Sequence, residues 1–520
     1  MTETEQNRQS NAVPSVFNVV ASDNKYEVDF AKSLDNAPVT KLSELAAGST
    51  SGVQDAEVRS LEQYVVEYGH RSEPQVISFR DQCPWIRGAD RYTHLIHRYT
   101  AKLLPHIPAF FMASSICPSN ATILDPFAGS GTVLLEGMLQ GHQVLGVEIN
   151  PIARLIAKVK TTVFNTKALE EAAKAITRSI SSSTYDAGIP DFPNRDLWFS
   201  KKVQKGLAKV KAAIETFQDD SLKDFFWVCY SSLVRRVALA DPRISPPVVL
   251  KPEKFDSNSL RHSKVSQMLE ERTNANVEAL FASTLGEFIK RFRRLEETLR
   301  ERELGSAEVV WDDARDLRIA PMKEKGLLDK ASAKEFPADS VDLVITSPPY
   351  MNAQKYARSL RLEWYWLGLG SYDELHAMDA SMIGTERLTR DEYEHLKTVG
   401  HAVADELILN VFSRDKHRAR LMANYFEDMR ICFANLFRVI KPGGHLVIVV
   451  GDNRVFTYRI PNHQILTDLA TQEGFRPKLV VVDEIKSRGL MTKRNTTADV
   501  IPAEWIIVLR KFGTTERGKV

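Results

Sequence analysis

Apolar and polar positions alternate along the chain in blocks of different period. From Tyr92, "YTHLIHRYTAKLLPHIPAFFMASSI" places apolar residues at helical spacing, with Pro105 and Pro108 interrupting. "ATILDPFAGSGTVLLEGMLQGHQVLGVEINPIARLIAKVK" then reads strand, glycine turn, helix, strand, turn, helix, the βαβ opening of a parallel sheet. Between Thr166 and Glu303 the pattern becomes long and helical. "SKKVQKGLAKVKAAIETF", "LKDFFWVCYSSLVRRVALA" and "NVEALFASTLGEFIKRFRRLEETLRERE" carry apolar residues at three- and four-residue intervals, and "ADPRISPPVVLKPEKF" breaks them. Strand patterning resumes in "AEVVW" and "VDLVITS". Further on, "YFEDMRICFANLFRVIKPGGHLVIVVGDN" reads as helix, Pro-Gly-Gly turn and buried strand, and "EGFRPKLVVVDEI" and "AEWIIVLRKF" close the sheet as an antiparallel hairpin.

These blocks predict an α/β protein with a Rossmann-like sheet of seven strands, mostly parallel, helices on both faces, and a helical insertion. Residues 1–84 form an N-terminal extension, partly loose. The first part of the core spans 85–165, the helical insertion 166–305, and the second part of the core 306–512 with a smaller insertion at 351–415.

Composition narrows this only a little. Of 520 residues, 43% are hydrophobic and 26% charged, as in a globular protein with a large core. No run approaches a membrane span, and the polar start "MTETEQNRQSNAVPS" has no secretory h-region. Four scattered cysteines without C-x-x-C spacing speak against a zinc site, so no metal is expected and a reducing cytoplasm fits. A net charge of +2 means that any polyanion surface must be local.

The chemistry concentrates in two turns. "LDPFAGSGTVLLEG" puts Gly129 and Gly131 between a strand and a helix, where backbone can approach a ligand, and Ser130 and Thr132 can cap the helix start. Alone, this describes any tight strand-to-helix turn. Two acids change the picture. Asp125 at the strand end would repel phosphate and welcome a cation, and Glu148 in "VLGVEINP" stands where a carboxylate accepts both hydroxyls of a ribose. Together they describe a nucleoside with a cationic, phosphate-free tail, which is S-adenosylmethionine. In "VVWDDARDL", Asp313 is placed to accept from an adenine amino group, or is a solvated turn residue.

The second turn is "TSPPY". Two prolines cannot continue a central strand, so the chain leaves the sheet at Ser347 in a stiff turn with fixed carbonyls. Those carbonyls and the Ser347 hydroxyl form an acceptor-rich pocket for an exocyclic amino group, and Tyr350 offers a face for a base to stack on.

"DPFAGSGT" with "TSPPY" resembles the amino DNA methyltransferases, which methylate N4 of cytosine or N6 of adenine from S-adenosylmethionine. "IHRYTAKLLPHIPAFFM" and "FRVIKPGGHLVIVVGDN" resemble further segments of that family, from about Tyr92 to Lys511 outside the insertions. The resemblance implies Ser347, Pro348, Pro349 and Tyr350 as the catalytic tetrad. It implies Lys102, Asp125, Pro126, Phe127, Gly129, Ser130, Gly131, Thr132, Glu148, Ile149, Asp313 and Ala314 at the cofactor. The serine version of the tetrad goes with cytosine-N4, with exceptions. Cytosine-C5 chemistry needs a nucleophilic cysteine, and no P-C dipeptide occurs.

The expected substrate is therefore double-stranded DNA with the target base flipped out, within a restriction–modification or defence system that can include a cognate endonuclease. Adenine-N6 in DNA, a base in RNA, and a non-catalytic cofactor- or DNA-binding scaffold are the alternatives. Candidate DNA contacts are Lys355, Arg358 and Arg361 in "QKYARSLRLEWYWLGLG", and Arg235, Arg236 and Arg243 ahead of Arg291, Arg293 and Arg294. Trp364 and Trp366 fit an inward-packing amphipathic helix equally well.

Overall fold

The computed structural model describes residues 58–86, 91–99, 102–182, 188–301, 303–351, 356–484 and 503–512. The expectation that residues 1 to about 55 are loose, and the candidate contact Lys355, lie outside the described residues.

The main sheet contains β1 (Gln75–Ile77), β2 (Thr122–Asp125), β3 (Gln143–Val147), β4 (Ser306–Trp311), β5 (Val341–Thr346), β6 (Ile440–Val450), β7 (Phe475–Glu484) and β8 (Ala503–Lys511). Their spatial order is β1-β7-β8-β6-β5-β2-β3-β4. Five neighbouring pairs are parallel, and β8 runs antiparallel to both β7 and β6. The fold is a Rossmann-like α/β fold, and the sheet has eight strands where seven are expected. The extra strand is β1, whose three residues Gln-Val-Ile are too short to show a period. The Pro-Gly-Gly turn also differs from expectation. The preceding helix ends at Val439 and β6 begins at Ile440, so Pro442, Gly443 and Gly444 lie inside the strand, where its pairing with β5 shifts register.

Strand residues alternate between two layers, as the pleat requires. Leu124, Val344, Ile448 and Ile507 face the helix Lys416–Val439 with its Phe426, Met429 and Phe433. Ile123, Leu343, Ile345, Val447 and Val449 face the other way, onto Phe79, Phe111 and Leu134. Pro108, an apparent helix breaker, sits in the first turn of the helix His106–Met112. There its missing N–H costs no hydrogen bond.

The described part of 166–305 is helical, with long helices at Thr166–Ser182, Lys201–Glu215, Asp220–Val237, Leu260–Thr273 and Val277–Glu301. Its core is continuous with the helix Pro151–Thr161 and with Leu360, Trp364, Tyr365 and Trp366 from beyond the second turn. Among the described residues, no helix is long and apolar enough to cross a membrane.

Candidate functional site

After β2 the chain moves to β3 and β4 on one side, while β5 and β6 lie on the other. A crevice opens at the carboxyl ends of β2 and β5, where the sheet order reverses. The glycine turn leaves β2 and the Ser-Pro-Pro-Tyr turn leaves β5, so topology alone brings the two motifs together.

Gly131 is the residue before the helix Thr132–Leu139 and has φ 78°, in the left-handed region. A Cβ there would stand 2.9 Å from the Cβ of Ala157, so this glycine also lets two helices touch. Neither Ser130 nor Thr132 caps that helix. The expected capping fails because Ser130 is buried and its Oγ accepts instead from the Lys160 ammonium at 3.3 Å. Lys160 is fully buried, and burial, with Lys102 nearby, depresses its pKa strongly.

Asp125 is buried at the end of β2. Its Oδ1 accepts from the Thr346 hydroxyl at 2.6 Å and from the Phe127 N–H at 3.1 Å. Burial pushes its carboxyl up to about 7 against the lowering effect of those two bonds. The Thr346 contact joins the last residue of β5 to the last residue of β2.

Glu148 follows β3 and is held by backbone alone. Its Oε2 accepts from Gly129 N–H at 2.8 Å and its Oε1 from Asn150 N–H at 2.9 Å. Burial raises its pKa, opposed by those two bonds and the charge of Arg154. Each carboxylate oxygen retains acceptor capacity beyond its one backbone bond.

These elements border an open cleft at the edge of the sheet. Of the expected residues, Pro126, Phe127, Gly129, Glu148, Ile149, Asp313, Ala314, Ser347 and Pro349 line it. Asp125, Ser130, Gly131, Thr132, Pro348 and Tyr350 stand behind or beside the lining, as parts of the same two turns. Lys102 is not in the lining, and its ammonium donates to the carbonyls of His94 and His97 at 2.8 and 3.0 Å.

Asp313 is positioned in the lining but is already engaged. Arg315 grips it at both oxygens, 3.0 and 2.8 Å, and also reaches Asp428 and the Ser381 carbonyl. An adenine amino group would have to share that carboxylate.

Sequence reasoning missed Tyr99, Val147, Asp312, Arg315, Tyr356, Ser381, Met382 and Ile383 in the lining. Met382 and Ile383 come from the second insertion, and no local pattern announces that such a segment returns over the sheet edge. Tyr356 was inside the quoted basic-aromatic segment, with only its neighbours singled out. The lining holds three acids, Glu148, Asp312 and Asp313, of which Asp313 is paired with Arg315 and Asp312 with Lys330.

Ser347 and Pro349 face the same cleft as the glycine turn. Tyr350 is half-buried against the sheet's core, and its hydroxyl donates to Glu504 at 3.2 Å. The Met351 carbonyl accepts from the Asn453 amide at 2.7 Å. The far end of the proline turn is thus tethered to the start of β8 and to Asn453, while Thr346 before the turn is tied to Asp125.

The candidate DNA-contact residues are mostly engaged within the protein. Arg243 is paired with Asp241, Arg236 with Thr284 and Glu287, and Arg235 donates to the Ile244 carbonyl. Arg293 pairs with Glu170. Arg361 lies over the Trp198 ring at 4.6 Å, and Arg358 is 3.7 Å from Asp379. Trp364 and Trp366 are buried in the helical core, so the inward-packing alternative describes them.

No family model matches the sequence. Over 451 residues the chain is 27% identical to the Type II methyltransferase M.MvaI of Kocuria varians, covering 81% of this chain and 91% of that protein. It is 24% identical over 390 residues to the Type II methyltransferase M.BsoBI of Geobacillus stearothermophilus, with coverages of 68% and 73%. For the Type II methyltransferase M.AvaI of a Nostoc species the figures are 25% over 378 residues, 69% and 74%. Among solved structures, a SAM-dependent methyltransferase of Methanosarcina mazei covers 76% of this chain and 95% of its own, at 12% identity and a TM-score of 0.27. That structural likeness is too distant to carry an argument about the site.

Proposed function

We propose that this protein transfers a methyl group from S-adenosylmethionine to the exocyclic N4 of cytosine in DNA. The observation that carries the reading is the shared cleft, in which Ser347 and Pro349 face the same space as Phe127, Gly129 and Glu148. Similarity to Type II methyltransferases over most of the chain supports it.

The cofactor supplies an electrophilic methyl group on a sulfonium. The chain's own residues divide the remaining work. Glu148, fixed by two backbone N–H groups, accepts the ribose hydroxyls, and the Asp125 carboxylate favours the cationic end. Pro126, Phe127, Ile149 and Ala314 supply apolar walls, and Asp313 is the candidate for the adenine edge despite its Arg315 partner. Lys102 is the candidate beside the methionine end, acting from behind the lining.

On the base side, the Ser347 hydroxyl and the carbonyls of the Pro348–Pro349 turn accept both hydrogens of the target amino group. Such bonds draw the nitrogen lone pair out of conjugation with the ring. The lone pair forms the new N–C bond as the C–S bond breaks, its electrons leave with sulfur, and the nitrogen then sheds one proton to an acceptor or water. Tyr350 stacks the flipped base, and because the amino nitrogen is itself the nucleophile no covalent enzyme intermediate is required. This reading requires a flipped or single-stranded base, and we place the activity in the cytoplasm and in a restriction–modification setting.

The test is transfer of radiolabelled methyl from the cofactor by purified protein, with duplex DNA and structured RNA offered separately. Label should enter DNA and not RNA, and Ser347→Ala should abolish transfer while still binding cofactor. Transfer to RNA alone would replace the substrate, and no transfer to either would favour a non-catalytic role.

A further inference from the structure

We propose that Glu504 is a positioning residue for methyl transfer, holding the Tyr350 ring in the orientation that receives the target base. This rests on the base pocket proposed above. A tyrosine that only stacks uses its ring face, and phenylalanine would serve. The hydroxyl therefore calls for a separate account, and its acceptor is Glu504 Oε1 at 3.2 Å.

Glu504 is the second residue of β8 and pairs with Asp483 on β7. It is half-buried, and burial raises its pKa against the effect of the Tyr350 bond. Among the described residues no cation pairs with it. A carboxylate in that setting is costly, and strand pairing does not require one. Its one described side-chain partner is the tyrosine of the catalytic turn.

The strand end that carries Glu504 is itself fixed. Trp505 stacks on the His463 ring at 3.7 Å with planes 5° apart, and His463 Nδ1 bonds Asp452 at 2.7 Å. Beside Asp452, Asn453 donates to the Met351 carbonyl, and the Asn462 amide donates to Asn453 Oδ1 at 2.7 Å. Tyr350 and Met351 are thus held from the ends of β8 and β6, while Thr346 before the turn is tied to Asp125. Anchoring the far end of the ring removes its rotation about the side-chain torsions. The face is then oriented before the base arrives.

The experiment measures methyl transfer from labelled S-adenosylmethionine to genomic DNA of a host lacking this gene. The proteins are the full chain, Glu504→Ala, Glu504→Gln, Tyr350→Phe and the Tyr350→Phe/Glu504→Ala double variant. Glu504→Ala should lower kcat/KM by about tenfold, the scale of one hydrogen bond to a charged group, with cofactor affinity unchanged. Glu504→Gln keeps an acceptor oxygen and should recover most of that loss. Tyr350→Phe should match Glu504→Ala, and the double variant should be no worse than either single one. Losses that multiply in the double variant, or a fully active Tyr350→Phe, would overturn the proposal. A wild-type protein that binds cofactor but methylates no DNA would instead remove the functional reading on which it depends.

Discussion

At the residue scale, the proposed site holds two buried carboxylates with different partners. Glu148 is satisfied by backbone N–H groups and is poised to accept more. Asp125 is buried, with its carboxyl pushed up to about 7. A group raised in this way is neutral below that pH and ionised above it, and a cationic ligand prefers the ionised form. Cofactor binding should therefore release a proton at and below pH 7, and affinity should rise with pH. Calorimetry between about pH 6 and about pH 8 should show a gain approaching tenfold per unit on the acid side. Asp125→Asn should bind more weakly and lose that dependence, and an unchanged profile in the variant would remove Asp125 from the cation's environment. Glu148→Ala should weaken binding at least about tenfold at every pH.

Legibility at this scale followed chemistry carried by local turns. Gly129, Glu148, Ser347 and Pro349 could be placed from sequence because strand ends and turn residues announce themselves. The engagement of Asp313 by Arg315 could have been suspected, since the two stand two residues apart in "DDARD". What the sequence could not show is that Arg315 is also held by the distant Asp428.

At the element scale, the strand-to-helix turn after β2 is the most constrained piece. Gly131→Ala would place a Cβ at 2.9 Å from Ala157 Cβ while keeping φ 78°. The expected cost is about 1–3 kcal/mol, from overpacking and backbone strain together. Thermal or denaturant unfolding would read it as a lower midpoint, and a variant of wild-type stability would show that the turn can relax. Trp366 is fully buried and makes an edge contact with Phe199 at 5.6 Å, joining the segment after the Ser-Pro-Pro-Tyr turn to the helical insertion. Trp366→Ala should cost about 3–5 kcal/mol by the same measurement, which a solvent-facing DNA contact would not.

The main α/β succession was legible because each block kept one period over its length. β1 was not, being three residues long, and the Ile440 strand start was hidden by the Pro-Gly-Gly that follows it. The tryptophans were ambiguous in sequence because an inward helix and a basic-aromatic grip share one composition. Only the packing partners, supplied by residues more than a hundred positions away, separate the two.

At the scale of the whole molecule, a net charge of +2 must be distributed unevenly if DNA is the substrate. The loop carrying Arg243 reaches the helix Tyr356–Ser359, where Ser245 Oγ and Ser359 Oγ lie 2.8 Å apart. That helix begins with Tyr356 of the cleft lining. Arg293, ion-paired as Arg243 is, meets Glu170 of the helix Thr166–Ser182. Neutralising Arg235, Arg236 and Arg243 should therefore weaken duplex binding, and flatten its salt dependence, more than neutralising Arg291, Arg293 and Arg294. Equal losses across a salt series would mean that the insertion braces the sheet and that residues 351–415 read the target. The central claim is tested most directly by nuclease digestion and nucleoside mass spectrometry of DNA from cells expressing the protein. N4-methylcytosine should appear, and vanish with Ser347→Ala. N6-methyladenine in its place, or no modified nucleoside at all, would contradict the account.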